Sequence, residues 1–223
     1  MTALAEEVAP VVADKPVSEP GSDLDEVLWQ AWKAMDLPEG YRAEIIEGAI
    51  EVSPTGRRRH GVLVNRLRRA LDAHLARSGY AAHQDVNLVH NRKSWIPDLF
   101  VAPLDLDEIP DEEGLGVDAA GVKLVVEVTS PGYRNLQRDR ARKHREYARA
   151  GIPVYVIVDG FDGFDGFDGF DDFDDEGAVV VLTSPDPKKA RYTDEHRVPY
   201  GSDAIIPEGP AKGFAVGRAI VAS

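Results

Sequence analysis

The chain of 223 residues contains no cysteine. Disulfides and thiolate metal sites are thereby excluded, and the composition suits a reducing, cytoplasmic setting. No stretch approaches the roughly 18 consecutive apolar residues that a membrane span needs. The N-terminus carries Glu6, Glu7 and Asp14 without a basic stretch, so it does not read as a secretory signal. Net positive charge, the usual mark of a protein that handles nucleic acid, is also missing: the formal net charge is −13. With 43% hydrophobic and 29% charged residues, the chain otherwise has an ordinary globular composition, long enough for one sizeable domain.

The negative charge is unevenly placed. Residues 1–26 hold seven acids and one base, and residues 159–176 hold eight aspartates, one glutamate and no base. Those two segments account for −6 and −9, which leaves +2 for the rest. The bases of that remainder cluster at Arg57-Arg58-Arg59, at Arg66, Arg68 and Arg69, and from Arg134 to Arg149. Each cluster reads equally as a nucleic-acid contact or a solvated helix face. Residues 1–21 read as a disordered acidic leader. The three-residue Phe-Asp-Gly repeat within 159–176 fits neither helical nor strand periodicity and reads as a disordered acidic loop insertion. Its spacing does not match a calcium loop. The remainder, 22–223, reads as a single domain.

Hydrophobic periodicity organises that domain. Ser22 and Asp25 resemble a capping box for a helix over 23–35, with Leu24, Val27, Leu28, Ala31 and Met35 on one side. Glu47-Gly48 separates two short β-prone runs and predicts a tight hairpin. Residues 60–78 predict a helix with Val62, Leu63, Leu67, Ala70, Leu71 and Leu75 as its apolar stripe. Strands are predicted around 80–90, 95–102, 122–129, 153–158 and 177–182, a helix at 133–149, and a short hairpin within 205–221. The run at 122–129 is almost continuously apolar, as a central strand covered on both faces would be. This order gives an α/β (α+β) sandwich with a mixed central β-sheet flanked by helices.

The chemistry-bearing residues lie between Pro97 and Tyr155. Asp98 begins one apolar run and Glu127 interrupts another, where an unpaired carboxylate would be costly. Such acids call for a partner, a metal or a proton. Asp139, Lys143 and Tyr147 are spaced by four, on one face of a helix, with Arg140 on its flank. Two carboxylates and an ammonium brought together are what a magnesium-dependent phosphodiester-cleaving site requires. The plainer readings are a strand-end turn for Asp98 and a cross-sheet salt bridge from Glu127 to Lys143. Glu44 either completes a metal shell, holds a lysine, or forms a hairpin ion pair. His60, at a helix start after Arg57, Arg58 and Arg59, either touches a phosphate, acts as an acid, or has no role. The three arginines suit a grip on a nucleic-acid backbone.

Taken as a set, Glu44-Ile-Ile-Glu47-Gly48, Ser53-Pro54, His60, Pro97-Asp98, Glu127-Val-Thr-Ser130-Pro131, Asp139, Lys143, Tyr147, Gly151-Ile-Pro-Val-Tyr155 and Val158-Asp159 resemble the putative restriction-endonuclease family. That family sits in the PD-(D/E)xK nuclease superfamily. The resemblance covers about residues 24–183. It implies a restriction-endonuclease-like core and a divalent-metal site, with Asp98 and Glu127 as ligands. It further implies Lys143 as the lysine relocated to a helix and Glu44 as an additional acidic member. The expectation is a cytoplasmic, homodimeric DNA endonuclease using Mg2+ or Mn2+, with Arg57, Arg58, Arg59, His60 and Arg140 on nucleic acid. The competing expectation is a non-catalytic nucleic-acid or protein-interaction module that keeps the fold.

Overall fold

The β-branched runs of the sequence form two sheets that share one layer of core. The computed structural model describes residues 23–56, 58–129, 138–159 and 178–221. The leader 1–21, most of the Phe-Asp-Gly insertion, Arg57 and the side chain of Arg140 lie outside the described residues.

Helix α1 (Asp23–Lys33) precedes the hairpin β1 (Tyr41–Ile46) and β2 (Ala49–Pro54). The predicted two-residue turn is present: Glu47 and Gly48 both have positive φ, at 47° and 74°. Helix α2 (Arg58–Leu75) follows. The two strands expected over 80–90 and 95–102 are each broken in two. The first becomes β3 (Tyr80–His83) and β4 (Leu88–His90), with Asp85 at φ 59° between them. The second becomes β5 (Lys93–Trp95) and β6 (Leu99–Pro103), divided at Ile96-Pro97-Asp98. Each break sends the chain from one sheet to the other. The segment after β6 contains a short strand β7 (Val117–Asp118).

Strand β8 (Leu124–Val128) is buried throughout. It is followed by a π-helical turn (Arg138–Lys143), α3 (His144–Arg149) and β9 (Val154–Asp159). The long hairpin β10 (Ala178–Asp186) and β11 (Arg191–Pro199) comes next, then β12 (Ala204–Ile205), β13 (Ala215–Val216) and α4 (Arg218–Val221). The six-stranded sheet has the order β11-β10-β9-β8-β6-β3, and the five-stranded sheet β2-β1-β5-β4-β7. Within the larger sheet β8 and β9 are parallel and the other pairs antiparallel, so the sheet is mixed, as expected.

Strand alternation in β8 divides the core. Leu124, Val126 and Val128 pack with Leu67, Leu71 and Leu75 of α2. Val125 packs on the other side with Phe100, Trp95, Tyr147 and Tyr155. Glu127 shares the parity of Val125 and enters that second layer.

The expected inward stripe of α1 is corrected. Leu24 and Val27 are 47% and 62% exposed, whereas Asp25 and Trp29 are buried. Trp29 and Trp32 stack at 5.1 Å, and their indole N–H groups reach Glu113 Oε1 (2.7 Å) and the Ala43 carbonyl (2.9 Å). Asp25 pairs with Lys93 at 2.7 Å. Large amphipathic rings with satisfied donors outcompete smaller aliphatic chains for the interior face.

Candidate active site

The point where the chain crosses between the sheets carries the acids. Asp98 follows Pro97 and opens β6. The pairs of the β6–β8 ladder, Leu99 with Val126 and Phe100 with Val125, place Asp98 opposite Glu127 one step further on. Asp98 Oδ2 accepts the Val128 N–H at 2.8 Å and lies 3.0 Å from His60 Nε2. Arg42 stands 3.8 Å from the other oxygen, Oδ1. Burial opposes ionisation of Asp98, but the His60 hydrogen bond and charge, Arg42 and the Val128 N–H outweigh it. Its carboxyl is held below the ordinary range. The same contact runs the other way for His60: burial disfavours the imidazolium, yet Asp98 and, more weakly, Glu127 raise its pKa.

Glu127 meets Lys143 and Tyr147. The Lys143 ammonium is 2.9 Å from Glu127 Oε1 and equally 2.9 Å from Glu44 Oε1. Tyr147 donates its hydroxyl to Glu127 Oε1 at 2.6 Å. Glu44 also accepts the Ile96 N–H at 2.8 Å. Lys143, Glu44 and Glu127 are 0%, 1% and 2% exposed. Burial opposes ionisation of Glu44, but Lys143 and Arg42 prevail and hold its pKa down. The Tyr147 phenol is pushed well above its ordinary value by burial and by Glu127, so it remains a proton donor. Further down the chain, Thr129 donates its hydroxyl to Asp159 at 2.7 Å.

Lys143 is delivered by a docked helix. Glu146 on α3 accepts the Glu47 N–H of the hairpin turn at 2.8 Å. Glu47 is held in return by Arg145 (2.7 Å) and Arg149 (3.5 Å), and Arg142 reaches the Ile46 carbonyl (2.6 Å) and Glu51. Of the basic residues expected over 134–149, Arg142, Arg145 and Arg149 are therefore taken up by the hairpin acids. Burial opposes ionisation of Glu47, but the Arg145 hydrogen bond and the three guanidinium charges outweigh it, placing its pKa below the ordinary 4.5. A group with a depressed folded-state pKa stabilises the fold above its unfolded pKa, and that stability is lost as pH falls through the folded value. Urea melts should therefore show Glu47→Gln less stable than the parent at neutral pH, with the gap closing below about pH 4.5. A gap independent of pH would contradict this pairing.

Among the expected residues, the structure brings Asp98, Glu127, Lys143, Glu44 and His60 together. Arg58 and Arg59 are exposed beside His60 at the start of α2. Sequence reasoning passed over Arg42. Its signal was available, because residues 42 and 44 share one side of β1. Arg42 acts electrostatically on Glu44, Asp98 and His60 alike. It also left Tyr147 without a role. Gly56 was missed too: a Cβ there would collide with His60 Nδ1 and lie 3.0 Å from its Cγ. Gly56→Ala is expected to force the His60 ring off Asp98 at a cost of about 1–3 kcal/mol, as overpacking does. Unchanged imidazole nitrogen shifts and an unchanged melting temperature would refute that.

The donor set suits a hard divalent cation, since Asp98, just before β6, and Glu127 on the adjacent β8 offer carboxylate oxygens. Among the described residues no group of three or more acidic or histidine side chains is arranged to hold a metal. Magnesium is commonly held by only one or two carboxylates with water completing its shell, so the pair is compatible with it. A cleft of about 560 Å³ lined by Trp29, His90 and Asp118, among others, includes none of these residues. No helix among the described residues is long and apolar enough to cross a membrane.

The fold is similar to the crystal structure of a putative nuclease belonging to DUF820 from Anabaena variabilis. The TM-score is 0.59, with 16% sequence identity, 89% of this chain and 96% of that chain being covered. No curated protein matches the sequence. The model of the putative restriction endonuclease family Uma2 matches residues 29–211, most of the chain. The chain belongs to the putative restriction endonuclease family, Uma2, and so to a nuclease family.

Proposed function

We propose that the chain hydrolyses phosphodiester bonds in DNA as a cytoplasmic, homodimeric, metal-dependent endonuclease, with 22–223 as one catalytic domain. Asp98 and Glu127 would hold the cation, Mg2+ or Mn2+. Bound there, it would neutralise phosphate charge and acidify a water molecule. The observation that carries the reading is the shared Lys143 ammonium, 2.9 Å from both Glu127 and Glu44 and one strand from Asp98.

Each side chain has a separable task. His60 and the Val128 N–H fix the Asp98 carboxylate in its ionised form. Tyr147 fixes Glu127. Glu44 anchors Lys143, whose ammonium supports the attacking water and the charge that develops on the phosphate. Arg57, Arg58, Arg59 and Arg140 contact the nucleic-acid backbone. The test is incubation of the full chain with linear and supercoiled DNA, with and without Mg2+ or Mn2+. Cleavage should require the ion; absence of cleavage on every DNA form would defeat the proposal.

One observation favours a second reading, a non-catalytic module that retains the fold. Lys143 already pairs with both buried glutamates, and Arg42 adds a second positive charge beside Glu44, which would suffice for a purely structural cluster. That module would bind neither Mg2+ nor Mn2+.

A further inference from the structure

The outer face of α2 carries an arginine stripe that the proposed chemistry does not use in full. Helical geometry turns about 100° per residue. On that wheel the buried ridge, Val64, Leu67, Leu71 and Leu75, occupies one side. Arg58, Arg59, Arg66 and Arg69 fall within an arc of about 100° on the opposite side. All four are exposed. The arc contains no acid; Asp72, the one acid of α2, lies outside it and pairs with Arg68 at 3.8 Å. None of the four makes an ion pair among the described residues.

The arrangement is the reverse of that on α3, where Arg145 and Arg149 meet hairpin acids. It also runs against local stability. Arg58 and Arg59 sit at the positive end of the helix macrodipole, and the first turn has no acid to offset them. Charge placed against local preference is expected where a ligand supplies the compensation. The stripe begins beside His60 and Asp98. From Arg59 to Arg69 it extends about 15 Å at 1.5 Å per residue. Phosphates of one duplex strand recur every ~3.4 Å along the axis, so the stripe spans about four such steps.

We infer that α2 is a backbone track: Arg58 and Arg59 at one end, and Arg66 and Arg69 further along, grip phosphates of a nucleic-acid strand that continues beyond the site. This rests on the nuclease reading and specifies from which side the strand arrives. It also accounts for nucleic-acid binding by a chain of net charge −13, since contact is confined to one face whose charge is locally opposite.

The test is fluorescence anisotropy of the full chain with a labelled DNA duplex in EDTA, titrated with salt. Arg66→Ala/Arg69→Ala should lower the slope of log K against log salt by about 2, close to 0.9 per lost phosphate contact. Arg66→Lys/Arg69→Lys should keep the parent slope, and Arg197→Ala, exposed on β11, should leave it unchanged. If the parent binds DNA but the double alanine variant keeps its slope, the track is wrong, while the nuclease reading stands as long as the parent cleaves DNA with added metal. If the parent neither binds nor cleaves DNA, both fall.

Discussion

Replacing Lys143 with methionine is expected to cost about 3–5 kcal/mol of folding stability, the range for removing one partner of a buried ion pair. Lys143 is completely buried, and its ammonium is shared by two carboxylates that are themselves 1% and 2% exposed. Without it, Glu44 keeps the Ile96 N–H and Glu127 keeps the Tyr147 hydroxyl, but neither retains this compensating charge. A total stability of some 5–15 kcal/mol makes such a loss severe. Lys143→Met/Glu127→Gln should recover part of it, because one uncompensated charge is removed with the other. Chemical denaturation of the parent, both single variants and the double variant closes the cycle. A Lys143→Met protein within 1 kcal/mol of the parent would mean that the ammonium does not hold the two acids.

Loss of cleavage is the second large effect. Glu127→Gln keeps the side chain's shape and an acceptor for Tyr147, yet removes the charge proposed to hold the cation. Asp98→Asn does the same just before the neighbouring strand. Each should lower cleavage by more than about 100-fold, because even residues that merely orient a metal ligand cost 10–100-fold when lost. Tyr147→Phe is such an orienting change and should fall within that smaller range, with the fold kept by its buried ring. The graded series separates a metal-bearing pair from a structural cluster. A folded Glu127→Gln protein that cleaves as the parent does would remove Glu127 from the reaction.

Much of this arrangement was legible in the residues, for identifiable reasons. The apolar runs around Glu127 and after Asp98 made those acids costly to bury, and cost marked them. The spacing of four between Lys143 and Tyr147 is matched by their common partner, Glu127. The Glu47-Gly48 turn was readable because a glycine, free to take positive φ, stands between two short β-prone runs. Other features were hidden. The division of 80–90 and 95–102 between two sheets depends on long-range pairing, which local periodicity does not encode. In α1 two helical stripes competed, and only packing over β1 and β2 chose Trp29. Arg142, Arg145 and Arg149 looked like a free basic patch because their partners, Glu47 and Glu51, lie about a hundred residues earlier. Arg42 escaped notice because its meaning comes from Asp98, at the crossing into the other sheet.

The account stands on Asp98 and Glu127 acting together as a cation site. Isothermal titration of the full chain with Mn2+ or Mg2+ near neutral pH tests this directly. It predicts a saturable binding event that Asp98→Ala and Glu127→Ala each abolish while the fold persists. No heat of binding in the parent, or the same binding in both variants, would contradict it.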